Sequence, residues 1–307
     1  MMWRRKNFPA AMLLSSGIFL RKLDIAAESV KTGCRILFFS DTHFRYSLLH
    51  NRCSESPLKE WFGVDKIGEA LVQSVEEIAP DILIFGGDLV SHTILYPEAF
   101  RILSRMKAPV KLAVFGNWEF KTRSWLPLSV LENCFCDAGF RLLKNESVII
   151  NGIQFSGVED FRFGKPVIPA ADSGAAFRCL ISHNPDTIGK STKEALSGYD
   201  LALCGHTHGG QIRLPLFGAV LTSSVYWKRF EYGLCCHPEK PPVAVTAGIG
   251  GTFIMNRLLC PPEMLLVNLN YEKNSFSCKQ SLKNLKKSNR VRKMVTMNVL
   301  LSETSLD

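Results

Sequence analysis

The chain has 307 residues, is 46% hydrophobic and carries a formal net charge of +9. This length fits one large α/β domain or two small ones, and the apolar share supports a sizeable core. Ten cysteines are scattered without a C-x-x-C motif, which argues against a disulfide-stapled scaffold or a thiolate zinc site and favours a reducing compartment. Because we find no linker and no internal repeat, we expect one central domain, residues 34–271, with extensions at residues 1–33 and 272–307.

Both ends of the chain are basic. The apolar segment Phe8–Leu20 lies between basic residues and is too short for a membrane-spanning helix of ~20 residues. We expect a retained anchor at the membrane interface; the alternative is an export signal, which has the same basic-then-apolar order. The basic tail favours a membrane surface or a phosphorylated substrate as partner, the alternative being a solvated tail. No motif indicates nucleic-acid binding, and nothing indicates an obligate protein partner.

Five short apolar runs, in chain order, each end at a residue that can bind metal. The runs and their following residues are Ile36–Ser40 with Asp41 and His43, Ile82–Phe85 with Asp88, Leu112–Phe115 with Asn117, Cys179–Ser182 with His183, and Leu201–Cys204 with His206 and His208. Each polar residue alone is typical of a turn or a cap. If the runs are parallel strands, however, all seven side chains meet at one edge of a sheet. Seven nitrogen and oxygen donors without a thiolate suit two divalent cations such as Mn, Fe or Zn.

The segments between these runs predict helices first and strands later. Helical spacing predicts helices over Asp65–Ala79, Glu98–Lys107 and Leu128–Ala138, and a capping box at Ser191 and Glu194 predicts a short helix that ends near Gly198. Asn151-Gly152 predicts a β-hairpin, and Val243–Thr246 and Leu265–Leu269 predict late strands. The order favours an α/β fold with two stacked mixed sheets and helices outside.

The ordered series D-x-H, G-D, G-N-x-E, H and G-H-T-H resembles the calcineurin-like metallophosphoesterase superfamily over about Arg35 to Asn268. Gly205–Leu214 and Gly248–Glu263 are similar to the branch that contains YaeI- and YkuE-like phosphoesterases. Within that branch, the Gly-Asn-Trp-Glu motif, the basic tail and the membrane-like amino end resemble the chlamydial-type UDP-2,3-diacylglucosamine pyrophosphatases of lipid A synthesis. The resemblance implies a four-layer αββα sandwich of two mixed sheets.

The resemblance also implies how the seven donors divide between two cations. One cation takes Asp41, His43, Asp88 and His208, and the other takes Asp88, Asn117, His183 and His206. Asp88 then bridges the pair, and water activated by the cations attacks phosphorus in line, which makes Asp88, Asn117 and His206 the expected catalytic residues. We expect manganese, with iron or zinc as alternatives because the same donors accept all three.

The chain departs from the family pattern at Trp118, where most relatives have a histidine that acts as general acid or charge stabiliser near the leaving group. Indole cannot donate a proton usefully at neutral pH. Either Trp118 only packs and a remote acid such as His50 or His92 substitutes, or the leaving group needs no acid. A phosphate leaving group is a weak base and gains little from protonation, whereas an alkoxide gains much. The departure therefore favours a diphosphate substrate.

Two inserts, Phe44–Trp61 and Pro215–Tyr232, combine aromatic, aliphatic and basic residues near the predicted metal ligands. We expect them to hold an acyl chain and a diphosphate; the alternative is ordinary loop packing. Arg45 and Arg213 are the arginines nearest the ligand motifs in sequence, so they and Trp118 are the candidate substrate-binding residues.

These observations lead to a metal-dependent hydrolase. By resemblance, the expected reaction cleaves UDP-2,3-diacylglucosamine, a nucleotide-linked acylated sugar, into UMP and 2,3-diacylglucosamine 1-phosphate. The expected location is cytoplasmic and peripheral on the inner membrane, or else exported. The alternatives are a broader phosphodiesterase or phospholipid phosphatase and, from another class, a non-catalytic scaffold, which would be expected to have lost some ligands.

Overall fold

A computed structural model describes residues 4–6, 11–27, 33–45, 64–251 and 257–270. Most of the insert Phe44–Trp61, with His50, and the tail beyond residue 270 lie outside the described residues. The elements in chain order are β1 (Arg4–Lys6), β2 (Met12–Leu13), β3 (Phe19–Ala26), β4 (Cys34–Phe39), α1 (Val64–Ile78), β5 (Ile82–Phe85), α2 (Tyr96–Arg105), β6 (Val110–Ala113), α3 (Asn117–Thr122), α4 (Leu128–Asp137), β7 (Arg141–Leu142), β8 (Glu146–Ile150), β9 (Ile153–Gly157), β10 (Phe177–Ile181), α5 (Asp186–Lys190), β11 (Leu201–Cys204), β12 (Arg213–Leu214), β13 (Gly218–Ala219), β14 (Gly233–His237), β15 (Lys240–Val245) and β16 (Glu263–Asn270).

Two seven-stranded mixed sheets form the centre of the described structure. The first sheet has the order β2-β3-β16-β4-β5-β6-β7, and the second has the order β1-β14-β15-β11-β10-β9-β8. Strands β4, β5 and β6 are mutually parallel in the first sheet, as are β9, β10, β11 and β15 in the second. The predicted hairpin at Asn151-Gly152 joins β8 and β9, which pair in antiparallel. The two stacked mixed sheets are thus confirmed.

The side chains of β4 show how the layers are held together. Ile36 and Phe38 point toward the second sheet and join a buried cluster that includes residues of β9, β10 and β11. Leu37 and Phe39, which alternate with them, point to the opposite face and pack with α1, α2 and α4. Both faces of the first sheet are covered at β4 and β5, so these two strands are apolar at nearly every position.

Helix α1 buries the four residues that predicted it, Ile67, Leu71, Val75 and Ile78. Its spacing places these residues on one side, against the first sheet. The outer face of the second sheet is covered more thinly, by α5, the turn at Leu196, Tyr199 and Phe230. The four-layer sandwich is confirmed, with a fourth layer of one short helix and loops.

The helix predicted from Ser191 and Glu194 is wrong. Residues 193–198 form turns, and Ser191 ends α5 instead of beginning a new helix. The Ser191 hydroxyl donates back to the Thr187 carbonyl at 2.7 Å, and Thr192 Oγ1 instead accepts from the Ala195 N–H at 3.2 Å.

The amino-terminal residues contribute to the core. Strand β3 pairs in parallel with β16 along its whole length, and Leu14, Ile18 and Leu20 are buried. The described part of the predicted anchor Phe8–Leu20 therefore supplies core side chains, and only Met12 and Leu13 expose large apolar side chains. In the part of the chain that the structure covers, no helix has the length and hydropathy needed to cross a bilayer.

Candidate metal centre

The seven predicted ligands lie in one buried cluster between the two sheets. Asp41 and His43 follow β4, Asp88 follows β5, and Asn117 begins the helix that follows β6. His183 follows β10, and His206 and His208 follow β11 in the second sheet. All seven residues are at most 5% exposed. The expectation of a single sheet edge is wrong, because the carboxyl ends of strands from two sheets meet here.

The ligand atoms form two adjacent sets. Asp41, His43 and His208 make one set and Asp88, His183 and His206 the other, with the ligand atoms of each set within 4.8 Å of one another. Asn117 joins the second set, because its Oδ1 lies 3.2 Å from His183 Nε2. The sets match the division of ligands that the family resemblance implies.

Asp88 lies between the two sets. Its Oδ2 is 3.3 Å from His43 Nε2 in the first set and 3.3 Å from His183 Nε2 in the second. Its Oδ1 accepts a hydrogen bond from the Trp118 backbone N–H at 2.8 Å, which fixes the orientation of the carboxylate. A single carboxylate so placed can contact two cations at once.

The chemistry of the cluster fits cations. His183 Nδ1 lies 2.7 Å from the Gly86 carbonyl, so Nδ1 carries a hydrogen and Nε2 faces the acceptors of Asp88 and Asn117. Among the described residues, three imidazole nitrogens of the ligand residues are buried without a hydrogen-bond partner, namely His43 Nε2, His206 Nε2 and His208 Nδ1. Buried polar atoms are ordinarily satisfied. His43 Nε2 faces Asp88 Oδ2 at 3.3 Å, and a cation held by these two residues would take up its lone pair.

The pKa values of the histidines show which ligand binds a proton that a cation would have to displace. Burial alone would lower the pKa of His183, but the carboxylates of Asp88 and Asp41 raise it to about 10. Burial, together with nearby positive charge, holds the pKa of His206 and of His208 well below the ordinary value. At neutral pH and without bound metal, His183 is therefore an imidazolium cation, whereas His206 and His208 are neutral imidazoles.

Binding of Mn²⁺ near neutral pH is therefore expected to release on the order of one proton from His183. Because that proton is present below about pH 10, Mn²⁺ affinity should rise with pH across the neutral range and level off only above about pH 10. Titration calorimetry in buffers of different ionisation enthalpy measures this release. The variant His183→Gln should release about one proton fewer, and an apparent enthalpy independent of the buffer would contradict the prediction.

The backbone is unusual at five of the seven ligands. Asp41, His43, Asp88, His206 and His208 all have left-handed φ, between +42° and +68°. Residues other than glycine adopt this region at a cost of order 1 kcal/mol or more. The conformation turns the chain sharply after β4, β5 and β11, so that these ligand side chains point inward.

Two glycines of the motifs are required by close approach. A Cβ on Gly116 would overlap the Asp88 carboxylate, and a Cβ on Gly205 would overlap Asp41 Oδ2 and Ser40 Oγ. Glycine at these positions lets the loops from the two sheets approach the carboxylates directly.

Glu119 holds the site together and was not predicted as a functional residue. It is fully buried, and its carboxylate accepts three backbone hydrogen bonds, from Gly116 at 2.7 Å, Asp88 at 3.0 Å and Leu89 at 2.7 Å. Burial and the Asp88 charge raise the pKa of Glu119. The G-N-x-E spacing was the available signal, because a glutamate three residues after a helix N-cap often binds the N-cap N–H.

Arg257, also not predicted, supports the His208 loop. Its guanidinium donates to the carbonyls of Ala247 at 2.8 Å, Cys260 at 3.2 Å and Gly250. It fixes the loop after β15 to the segment that leads into β16, beside the carbonyl of His208.

The candidate substrate-binding arginines have different surroundings. Arg45 donates to the Ser91 hydroxyl at 3.0 Å and to the Gly251 carbonyl at 2.7 Å, and Ser91 Oγ lies 3.2 Å from His43 Nδ1. Arg213 donates to the Gly209 carbonyl and lies 3.2 Å from the buried carboxylate of Glu231. Both arginines therefore contact the loops of the metal cluster, and their binding of substrate stays a prediction.

Trp118 lies at the margin of the cluster and is partly exposed. Its ring packs edge-on against His43, with the centroids 5.3 Å apart, and the Lys121 ammonium lies 4.7 Å from the indole centroid. Trp118 therefore packs against a ligand of the metal cluster, as one of the two alternatives expected. His92, one of the two suggested remote acids, is exposed.

Comparisons with known proteins agree with this geometry. The profile of the family described as "Calcineurin-like phosphoesterase" matches residues 34–210, which contain every residue of the metal cluster. The chain is 26% identical to the uncharacterized metallophosphoesterase YkuE of Bacillus subtilis, over 77% of this chain and 79% of that protein. It is 30% identical to the phosphodiesterase YaeI of Escherichia coli, over 76% of this chain and 86% of that protein.

A third relative has a defined substrate in its name. The chain is 27% identical to the UDP-2,3-diacylglucosamine pyrophosphatase LpxG of Chlamydia trachomatis, over 78% of this chain and 84% of that protein. The family profile covers more than half of the chain and all of its metal-binding loops. This protein therefore belongs to the calcineurin-like phosphoesterase family and is a metal-dependent hydrolase.

Proposed function

We propose that the protein hydrolyses the diphosphate of UDP-2,3-diacylglucosamine to UMP and 2,3-diacylglucosamine 1-phosphate, with two divalent cations and with manganese as the preferred metal. The observation that carries the proposal is the pair of ligand sets with Asp88 between them, and with Trp118 at their margin. The similarity to LpxG supports this choice of substrate.

In this proposal the seven ligand residues bind the two cations in two groups. Asp41, His43, Asp88 and His208 would hold one cation, and Asp88, Asn117, His183 and His206 the other. When bound, two such cations activate water and neutralise charge on the phosphoryl oxygens. Asn117 contributes a neutral oxygen, so the site avoids a further negative charge that would weaken this activation.

Trp118 favours a leaving group that needs no proton. The indole packs on His43, at the position where a general acid acts in most relatives. Hydrolysis that expels a phosphate proceeds without such an acid, whereas hydrolysis that expels an alkoxide depends on it more strongly. A diphosphate substrate is therefore favoured over an alkyl phosphomonoester.

Purified full-length protein loaded with Mn²⁺ tests the proposal on a panel of UDP-2,3-diacylglucosamine, bis-p-nitrophenyl phosphate and a phospholipid, each with and without chelator. Chelator-sensitive turnover with at least a tenfold preference for the nucleotide-linked lipid is expected. Equal or better turnover of simple diesters would instead favour a broader phosphodiesterase, the second candidate, which the 30% identity to YaeI supports. Absence of turnover with every substrate would instead favour the non-catalytic scaffold.

Replacing Trp118 by His is expected to restore a general acid. Turnover of an alkyl phosphomonoester such as β-glycerophosphate should rise by roughly tenfold or more, whereas turnover of the diphosphate should change little. The matched control is Trp125→His, because Trp125 is a largely exposed tryptophan outside the cluster. An equal rise for both substrates, or the same rise in the control, would show that Trp118 does not select the leaving group.

A further inference from the structure

Exposed apolar side chains are concentrated beside the metal centre. Seventeen large hydrophobic side chains are exposed across the described residues, and nine of them lie on residues 214–227 and 258–259. We call these two segments the rim patch. Its most exposed members include Leu216, Phe217, Leu221, Val225, Trp227 and Leu259. Single exposed apolar residues are ordinary, but a concentration of this size indicates a binding surface.

The two segments of the rim patch are joined by backbone hydrogen bonds. The Arg213 N–H donates to the Leu258 carbonyl, and the Leu258 N–H donates to the Gln211 carbonyl, both at 2.9 Å. Strands β12 and β13 form a short hairpin with Pro215, Leu216 and Phe217 at its tip. The apolar side chains of both segments are therefore presented from one connected structure.

The base of the rim patch is tied to the metal-binding loop. The Ser223 hydroxyl donates to the His206 carbonyl at 2.9 Å, and Cys260 Sγ lies 3.3 Å from the His208 carbonyl. The fully buried carboxylate of Glu231 accepts from the Ala219 N–H at 3.1 Å. The apolar tip thus has a fixed position relative to the metal cluster.

Basic and aromatic residues lie within and next to the apolar surface. The Lys228 ammonium donates to the Phe217 carbonyl at 2.8 Å and lies 3.0 Å from the centroid of the Phe217 ring. Arg229 is exposed beside it, and Trp227 is half exposed. Aliphatic residues at a tip, with tryptophan and basic residues around them, are typical of a surface that enters the headgroup region of a bilayer.

We propose that the rim patch docks on an anionic lipid bilayer, with Leu216 at the hairpin tip entering the acyl chains, Phe217 and Lys228 at the headgroup boundary and Arg229 at the phosphate level. The inference rests on the proposed lipid-linked substrate, whose acyl chains would stay in the bilayer while the diphosphate reaches the cluster. A second copy of this chain is a poorer occupant, because a two-fold contact would bring the basic residues of two chains with a charge of +9 together.

Flotation of the full-length protein with phosphatidylglycerol-containing vesicles tests the inference without any substrate, so its outcome is separate from that of the proposed function. The triple variant Leu216→Glu/Phe217→Glu/Leu221→Glu should bind at least about tenfold more weakly than wild type. The control triple Val130→Glu/Ile149→Glu/Val167→Glu adds the same charge at exposed apolar residues elsewhere and should bind at least about tenfold more tightly than the patch triple. Arg229→Gln should weaken binding to these vesicles about fivefold.

Thermal melting and bound manganese identify any variant that fails to fold, and only folded variants are compared. Equal vesicle binding by the two triple variants would overturn the inference. Light scattering without vesicles tests the other occupant: a wild-type dimer that the patch triple converts to a monomer would assign the surface to a second copy and would also overturn it. A monomer in both cases, together with loss of vesicle binding only in the patch triple, supports it.

Discussion

Replacing Asp88 by Asn is expected to lower turnover of bis-p-nitrophenyl phosphate by about a thousandfold or more and to reduce bound manganese from two ions to one or none. Asp88 Oδ2 lies 3.3 Å from an imidazole nitrogen of each ligand set, so its charge would serve both cations of the proposed pair. An amide keeps the shape and the hydrogen bond from Trp118 but removes the anion between two dications. Without both cations the water nucleophile loses the activation that lowers its pKa from 15.7 to about 7.

Kinetics and metal analysis by mass spectrometry measure the two effects on the same sample. Asp137→Asn, an identical substitution at an exposed helix end, should leave turnover and metal content unchanged. If Asp88→Asn retained two ions and wild-type turnover, Asp88 would not be the bridge and the division of ligands would have to be revised.

The second large effect is expected from Glu119→Ala, on stability as well as on activity. The substitution leaves the backbone N–H groups of Gly116, Asp88 and Leu89 buried without their acceptor. Each such group costs about 1–3 kcal/mol, so a loss of roughly 4 kcal/mol and a fall of roughly 10 °C in melting temperature follow. Because the same bonds orient Asp88, manganese binding should weaken in parallel.

Glu119→Gln separates the two roles of this carboxylate. Its amide oxygen can still accept from Gly116 and Asp88, while its NH₂ group faces the Leu89 N–H, so an intermediate fall in melting temperature is expected. The control Glu132→Ala removes a surface ion pair with Lys144 and should change stability by less than about 1 kcal/mol. Calorimetric melting with and without manganese decides the order, and equal effects of Glu119→Ala and Glu132→Ala would disprove it.

The metal cluster could be predicted because its signal is local. A short apolar run that stops at a polar residue is visible in the sequence, and β5 and β11 have the predicted bounds. Strand β6 is Val110–Ala113 and not Leu112–Phe115, yet the position of Asn117 relative to the sheet is unaffected. The inward face of α1 was equally visible, since its four apolar residues follow the helical repeat.

The remaining features depend on distant contacts. Glu119 binds the backbone of Asp88 and Leu89, which precede it by about thirty residues, and no local pattern encodes those partners. The segment that ends at Leu20 was expected to be a membrane anchor because apolar composition does not distinguish an anchor from a strand. Phe19 and Leu20 at its end pair with β16, more than 240 residues later, and Leu14 and Ile18 are buried in the core.

The left-handed backbone at five ligands has a consequence over evolutionary time. Strain of order 1 kcal/mol at each position is large beside the 5–15 kcal/mol that ordinarily separates folded from unfolded domains. Exchange of a strained ligand for glycine would relax the loop while it ended the chemistry. In a lineage no longer under selection for hydrolysis, these aspartates and histidines would therefore be among the first residues to be substituted. The resulting proteins would gain stability as they lost activity.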